Sequence, residues 1–350
     1  MKIGIIATEK VPVGVNNLVG KQKITDFIVT ELCDRGHEVV TLCKIGSHVK
    51  GSMMNYVESE EVVEGAYTIV EVADLMTSMR KFLEYGFDVI HNHSDNPLVI
   101  IIGNYLNIPF ITTFHMPVLQ DISYALMAIK DQINQEFTSV NSILANEYSK
   151  YVDHIQIIRN GIDIDQWKYY DQDDEPYLSW TGRIERGKGL EQIIDLCIKF
   201  NHRLKFAGPI IDFDFWESGI EEKVEQNDLI QYFGCVHEKY INQLVGQSAA
   251  YIFTRKSKYS YGLTIIESLA CGTPIIAMNN EMTKEFIDEN IGILIDLDQE
   301  SEFLEGIKSV KNINRKKCLE KAANYCCHKQ MVDQYEGLYM KFMVQKAKAV

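Results

Sequence analysis

The sequence predicts an α/β protein made of two doubly wound units, each a parallel sheet flanked by helices. Three observations carry that expectation. Ala250 to Phe253 and Pro274 to Ala277 are apolar runs of strand length, and between them Leu263, Ile266 and Ala270 recur at helical spacing. This is a strand, a crossover helix and a second buried strand. The chain also opens in the same way: a strand from Lys2 to Ala7, a turn-rich loop, a helix over Lys21 to Arg35 carrying Ile24, Phe27, Ile28 and Leu32, then a strand from Glu38 to Leu42. Finally, 350 residues are long for one core and comfortable for two.

Composition narrows the function. A net charge of −14 argues against wide contact with nucleic acid or an anionic bilayer, both of which need a basic surface. No uninterrupted apolar run reaches the roughly 18 residues of a membrane-spanning helix, so membrane contact, through Lys21, Lys23 and Arg80, is expected to be peripheral at most. The apolar run after Met1 meets Glu9 too soon to be a secretory signal. The eight cysteines show no CxxC spacing and read as reduced thiols of a cytoplasmic protein.

Taken in order, the first loop ends at Gly20, without a G-x-G-x-x-G pattern. Phe87 to Asp95 ends a strand with His91 and His93, which alternation places on one face. With no third ligand nearby, a nonmetal role is preferred. The next strand, from Pro109, ends at His115, beyond the carboxyl edge where open α/β sheets bind ligands. A helix is expected over Asp121 to Glu136, a strand over Ser142 to Ala145, a short helix from Glu147 and a strand over His154 to Ile158. Asn160-Gly161 is a turn, and the acidic Lys168 to Pro176 reads as linker. The domains are therefore 1–165 and 166–329, and the segment at about 330–350 reads as a closing amphipathic helix that buries Tyr335, Leu338 and Phe342.

The second domain starts with the strand Tyr177 to Thr181 and runs into Gly182 to Gly189, where glycines and the cations Arg183 and Lys188 point to phosphate binding. Further strands, each with its turn, are expected over Leu204 to Gly208 and Ile230 to His237. Gly262 opens the crossover helix, whose unpaired N–H groups favour an anion, and Gly272 and Pro274 close it. Glu267 is a carboxylate in an otherwise apolar helix, suited to accept hydrogen bonds from sugar or ribose hydroxyls.

G-R-x-x-x-x-K-G at Gly182 to Gly189 and G-L-x-x-x-E-S-L-A-C-G-T-P at Gly262 to Pro274, with R-G-H-E-V at Arg35 to Val39 and T-x-H ending at His115, resemble family 4 of the retaining, nucleotide-sugar-dependent glycosyltransferases. The resemblance implies the GT-B fold: two facing Rossmann-like domains, a cleft between them, and a C-terminal helix crossing back to the first. It implies that Arg183 and Lys188 hold the donor's phosphates, Glu267 the ribose and His115 the transferred sugar. Gly20, Gly262 and Leu263 would adjoin the donor, and Val236 and His237 its base. Tyr259 stands where the family carries a glutamate that touches the transferred sugar, Gly20 remains of a usual glycine pair, and Asn279 to Met282 replace a glycine. The implied reaction passes a sugar from a nucleoside diphosphate sugar to a hydroxyl of a sugar, lipid-linked or small-molecule acceptor, without a metal. A binding scaffold that has lost turnover, and an epimerase or hydrolase on the same fold, are the alternatives.

Overall fold

The computed structural model describes residues 1–14, 20–58, 69–171, 176–255 and 262–349. They form two compact units, Met1–Gly161 with His328–Val350, and Ile162–Cys327.

Unit 1 is built on seven strands: β1 (Lys2–Ile6), β2 (Glu38–Cys43), β3 (Ser52–Asn55), β4 (Val89–Asn92), β5 (Phe110–Phe114), β6 (Glu136–Ser139) and β7 (Gln156–Ile157). All pair in parallel, in the order β3-β2-β1-β4-β5-β6-β7. Every residue of β4 and β5 is buried. A strand covered on both faces must be apolar or have its polar groups fully paired. That demand decides what His91 and Thr113 do.

One stretch departs from the sequence-based expectation. The helix expected over Asp121 to Glu136 runs only from Gln120 to Ile129 before a single 3-10 turn, and β6 occupies Glu136–Ser139. Ser142–Tyr148 is a helix, where a strand was expected at Ser142 to Ala145. Short apolar runs such as Ile143-Leu144-Ala145 suit either state. The N-cap decides it, since the Asn141 side chain accepts a hydrogen bond from the Leu144 N–H at 2.8 Å.

The C-terminal helix (His328–Ala349) belongs to unit 1. Tyr335, Leu338 and Phe342 are buried, as the spacing predicts, and Tyr339 is fully buried with them. Its polar side meets the R-G-H-E-V segment. Arg35 donates to Glu31 at 2.9 Å, to Asp333 at 2.7 Å and to Glu336, while the His37 ring lies 2.6 Å from Glu336. Arg35 also reaches the Lys329 carbonyl at 3.0 Å. The motif fastens the end of the first helix (Gly20–Asp34) to the last one.

Unit 2 has six parallel strands: β8 (Tyr177–Thr181), β9 (Arg203–Ala207), β10 (Ile230–Tyr232), β11 (Ala250–Phe253), β12 (Ile275–Met278) and β13 (Gly292–Ile295), in the order β10-β9-β8-β11-β12-β13. Of the strand and turn expected over Ile230 to His237, β10 takes Ile230–Tyr232, and His237 caps the helix Glu238–Gly246. Leu178, Trp180, Phe206, Ile252 and Ile276 are among the core that joins the sheet to its helices. The strand order reverses between β8 and β11, and their carboxyl ends frame the place where such sheets bind ligands.

Burial alone would raise the carboxyl of Glu336, but hydrogen bonds from His37 and Arg35 outweigh it and hold the group below its ordinary 4.5. A carboxylate with a lowered folded pKa contributes stability that is present above the unfolded value and lost as pH falls through the folded one. Glu336→Gln is expected to destabilise the protein by about 1–2 kcal/mol at pH 7. Urea titrations of the two proteins should show that gap closing as pH drops below about 4.5.

Candidate functional site

Each unit carries its own constellation. In unit 1, parallel pairing of β4 with β5 brings the H-x-H segment beside the T-x-H segment. His91 Nε2 lies 2.7 Å from Thr113 Oγ1, and His91 Nδ1 lies 2.6 Å from the Tyr339 hydroxyl. His93 Nε2 is 3.2 Å from His91 Nδ1, and His93 Nδ1 is 2.9 Å from His115 Nε2. Thr113 continues the chain to Thr138 at 2.5 Å. His91 and His93 are wholly buried and His115 half-buried. Lys21 of the first helix stands near, paired with Asp95.

Burial, followed by the neighbouring His93 and His115, pushes His91 well below the ordinary imidazole range. Burial and Lys21 bring His93 down to about 3, and burial, His93 and Lys21 lower His115 as well. All are neutral imidazoles near pH 7. Among the described residues no group of three or more His, Cys, Asp or Glu side chains is placed to hold a metal ion.

In unit 2 the carboxyl ends of β8 and β11 gather charge. Arg183 lies 3.0 Å from Glu185 and Lys188 lies 3.3 Å from the same oxygen. Arg255 follows β11 as the third cation. Its backbone is held by Asn280, whose amide donates to the Arg255 carbonyl at 3.0 Å. The preceding Thr254 donates to the Lys188 carbonyl and accepts from Trp180 Nε1 at 3.0 Å. Gly189 makes this approach feasible: its φ is +76°, and a Cβ there would sit 2.7 Å from Thr254 Cβ. Burial, then Arg255, lowers Lys188 below the ordinary lysine range, while burial and Arg183 lower Arg255. These are cations crowded past what their counter-ion neutralises.

Gly262, with φ +75°, precedes the helix Leu263–Ala270, the conformation a non-glycine residue resists at a helix start. Glu267 is buried within that helix, one turn beyond Leu263. Val236 is half-buried, and His237 is exposed with Nδ1 accepting from the Lys239 N–H at 3.3 Å. Gly20 is the first residue of the first helix, and Tyr259 lies outside the described residues. The structure thus groups Arg183 with Lys188 in unit 2, and links His115 to His93 and His91 in unit 1. Sequence reasoning missed Arg255, Glu185 and Tyr339. Arg255 had a signal: it lies two residues past the apolar run of β11, whose neighbour in the sheet is the strand leading to Arg183.

Two Rossmann-like halves, one with basic groups massed at its strand-order reversal, define the GT-B class of architecture. The comparisons agree. Residues 22–166 match the pattern described as Glycosyltransferase Family 4, and residues 162–325 match Glycosyl transferases group 1. The chain belongs to the family 4 glycosyltransferases. It is 21% identical over 235 residues to a phosphatidyl-myo-inositol mannosyltransferase of Propionibacterium freudenreichii, covering 62% of this chain and 59% of that protein. It is 23% identical over 244 residues to an uncharacterized glycosyltransferase of Methanocaldococcus jannaschii, covering 65% of this chain and 66% of the relative. These matches span less than two thirds of the curated relatives' own lengths. Among solved structures, sucrose-phosphate synthase from Thermosynechococcus elongatus superposes with a TM-score of 0.79 at 16% identity, covering 98% of this chain and 99% of that one. HepE of Anabaena, in complex with UDP and glucose, gives 0.74 at 12% identity over 97% of this chain and all of that one. These likenesses are of fold.

A histidine whose folded pKa is depressed contributes stability that is present above its unfolded value and lost as pH falls below it. His91, His93 and His115 should therefore each make the protein lose about 1.4 kcal/mol per pH unit between about pH 6 and 5, while Asp26, raised by burial to about 6, offsets part of that slope. Equilibrium unfolding from pH 7.5 to 5 measures the slope, and His91→Phe should flatten it by about 1.4 kcal/mol per pH unit.

Proposed function

We propose that this chain is a retaining glycosyltransferase that moves a sugar from a nucleoside diphosphate sugar to an acceptor hydroxyl, with unit 2 holding the donor. The observation that carries the reading is the cluster at the ends of β8 and β11. Three cations, Arg183, Lys188 and Arg255, surround one carboxylate, Glu185, and leave two positive charges over. A nucleoside diphosphate sugar carries two negative charges on its diphosphate. The match favours this ligand over a neutral or monoanionic one.

As the bond from the anomeric carbon to the diphosphate breaks, negative charge grows on the leaving oxygen. Fixed guanidinium and ammonium groups stabilise that charge without reorganising. The acceptor oxygen attacks the face the diphosphate leaves, and its proton passes to a phosphate oxygen of the leaving group, giving retention at the anomeric carbon. In this reading the cation cluster does the electrostatic work that a divalent metal performs elsewhere. Glu267 anchors the ribose, Gly262 and Leu263 offer backbone N–H groups to the diphosphate, and Val236 and His237 adjoin the base. Gly20 and His115 of unit 1 serve the sugar side, His115 as a neutral hydrogen-bonding group. The family match supports the assignment, and HepE of Anabaena, similar in fold, has been solved in complex with UDP and glucose. The acceptor is a sugar, lipid-linked or small molecule.

Thermal unfolding in the presence of UDP, GDP, ADP or dTDP and their sugar conjugates tests the donor site, since a ligand at 100 times its Kd stabilises by about 2.7 kcal/mol. One nucleotide is expected to raise the Tm with no metal added. Arg183→Ala, Lys188→Ala and Arg255→Gln should each weaken it about tenfold or more. Donor consumption that depends on acceptor marks a transferase, consumption without acceptor marks a hydrolase or epimerase, and binding without consumption marks a scaffold.

A further inference from the structure

Asn279 to Met282, where the chain departs from the family's glycine, leave β12 and open the helix Glu281–Phe286. Asn280 is the N-cap of that helix. Its Oδ1 accepts from the Thr283 N–H at 3.1 Å, and Thr283 Oγ1 accepts from the Asn280 N–H at 2.9 Å. Thr283 Oγ1 also donates to the Met278 carbonyl at 2.7 Å, which ties the turn to the end of β12. A cap uses only the oxygen of the side chain. The amide nitrogen is left over, and it donates to the Arg255 carbonyl at 3.0 Å. Exchanging oxygen and nitrogen would set two donors against each other at Thr283, so the cap fixes which way the amide points.

Arg255 needs such a hold. Its side chain is half-buried beside Arg183, Lys188 and Glu185, and both burial and the charge of Arg183 act against the guanidinium. With no anion bound, that repulsion favours swinging the group out to water. Its backbone is gripped on both sides instead: Thr254 donates to the Lys188 carbonyl just before it, and Asn280 takes its own carbonyl. The same turn also reaches the far end of the segment 256–261. Met282 is buried, and a Cβ on Gly262 would lie 3.5 Å from its Cε. One turn thus adjoins both Arg255 and Gly262, which offer a cation and helix N–H groups to an anion.

We infer that Asn280 is a positioning residue of the donor site, whose side-chain amide couples the start of this helix to Arg255 and so holds the guanidinium in the cluster with Arg183 and Lys188. The inference rests on the reading of that cluster as the diphosphate site. It adds a residue that acts through Arg255, in the stretch where the chain leaves the family pattern.

Asn280→Ser separates capping from holding. A serine hydroxyl caps about as well as asparagine, so Tm should stay close to wild type, but it is too short to reach the Arg255 carbonyl. That carbonyl is the one trypsin attacks when it cuts after Arg255. Limited trypsin digestion without ligand, with fragments read by mass spectrometry, should show cleavage after Arg255 about three- to tenfold faster in Asn280→Ser, relative to the other sites. Asn280→Asp caps equally well and turns an acceptor towards the carbonyl, so it should be cut at least as fast; it decides if the serine variant does not fold. The second readout is the Kd of whichever of UDP, GDP, ADP and dTDP stabilises the wild type. Asn280→Ser should weaken it about three- to tenfold, and the effect should vanish when Arg255 is already glutamine. A general loss of structure would weaken binding equally in both backgrounds. Unchanged cleavage after Arg255 in both Asn280 variants overturns the anchor. An unchanged Kd, or a full Asn280→Ser effect in the Arg255→Gln background, overturns the positioning role. Should none of these nucleotides bind, the donor reading of the cluster fails, while the cleavage rates still decide whether Asn280 holds Arg255.

Discussion

His91 sits in the middle of a sheet, with no accessible surface, and both of its ring nitrogens need partners there. Much of unit 1 follows from meeting that need. One partner comes from Thr113 of the adjacent strand, which is in reach because β4 and β5 are parallel neighbours. The other comes from Tyr339, which arrives from the far end of the chain. The C-terminal helix can deliver that hydroxyl only if it is held in register, and the Arg35 and His37 contacts to Glu336 hold it. A polar residue in an apolar strand has thereby tied the R-G-H-E-V helix end, the last helix and the strand-end His115 into one arrangement.

Unit 2 solves a different problem. It must concentrate positive charge without unfolding under its own repulsion. The strand order brings the ends of β8 and β11 side by side, and Gly189 lets the loop after β8 lie against Thr254. Lys188 and Arg255 are then held through backbone hydrogen bonds, which do not depend on their charge. Glu185 offsets part of the repulsion. The protein as a whole is acidic, with a net charge of −14, so the cluster is a local exception built by fold geometry.

The fold was legible wherever periodicity was long. Apolar runs bounded by turns gave both sheets, and the family motifs fell on the strand ends where the structure puts them. The stretch from Asp121 to Tyr148 was not legible, because Ile143-Leu144-Ala145 carries no period and the deciding signal, the Asn141 cap, is a single side chain. The candidate site divides in the same way. Arg183, Lys188, Gly262 and Glu267 lie in local motifs and could be read in place. Arg255 depends on which strands are neighbours, and Tyr339 on a contact 248 residues distant in sequence. H-x-H and T-x-H were each visible, but only the pairing of β4 with β5 turns them into one chain of imidazoles.

The two constellations answer differently to their surroundings. In unit 1 the contacts of the three histidines join neutral groups: burial lowers His91, His93 and His115 and raises Tyr335 to about 12, with Tyr339 pushed well above the ordinary range. Hydrogen bonds between neutral, buried partners are directional and nearly indifferent to salt. The cluster of unit 2 joins full charges at a half-open surface, where attraction for an anion is long-ranged but screened.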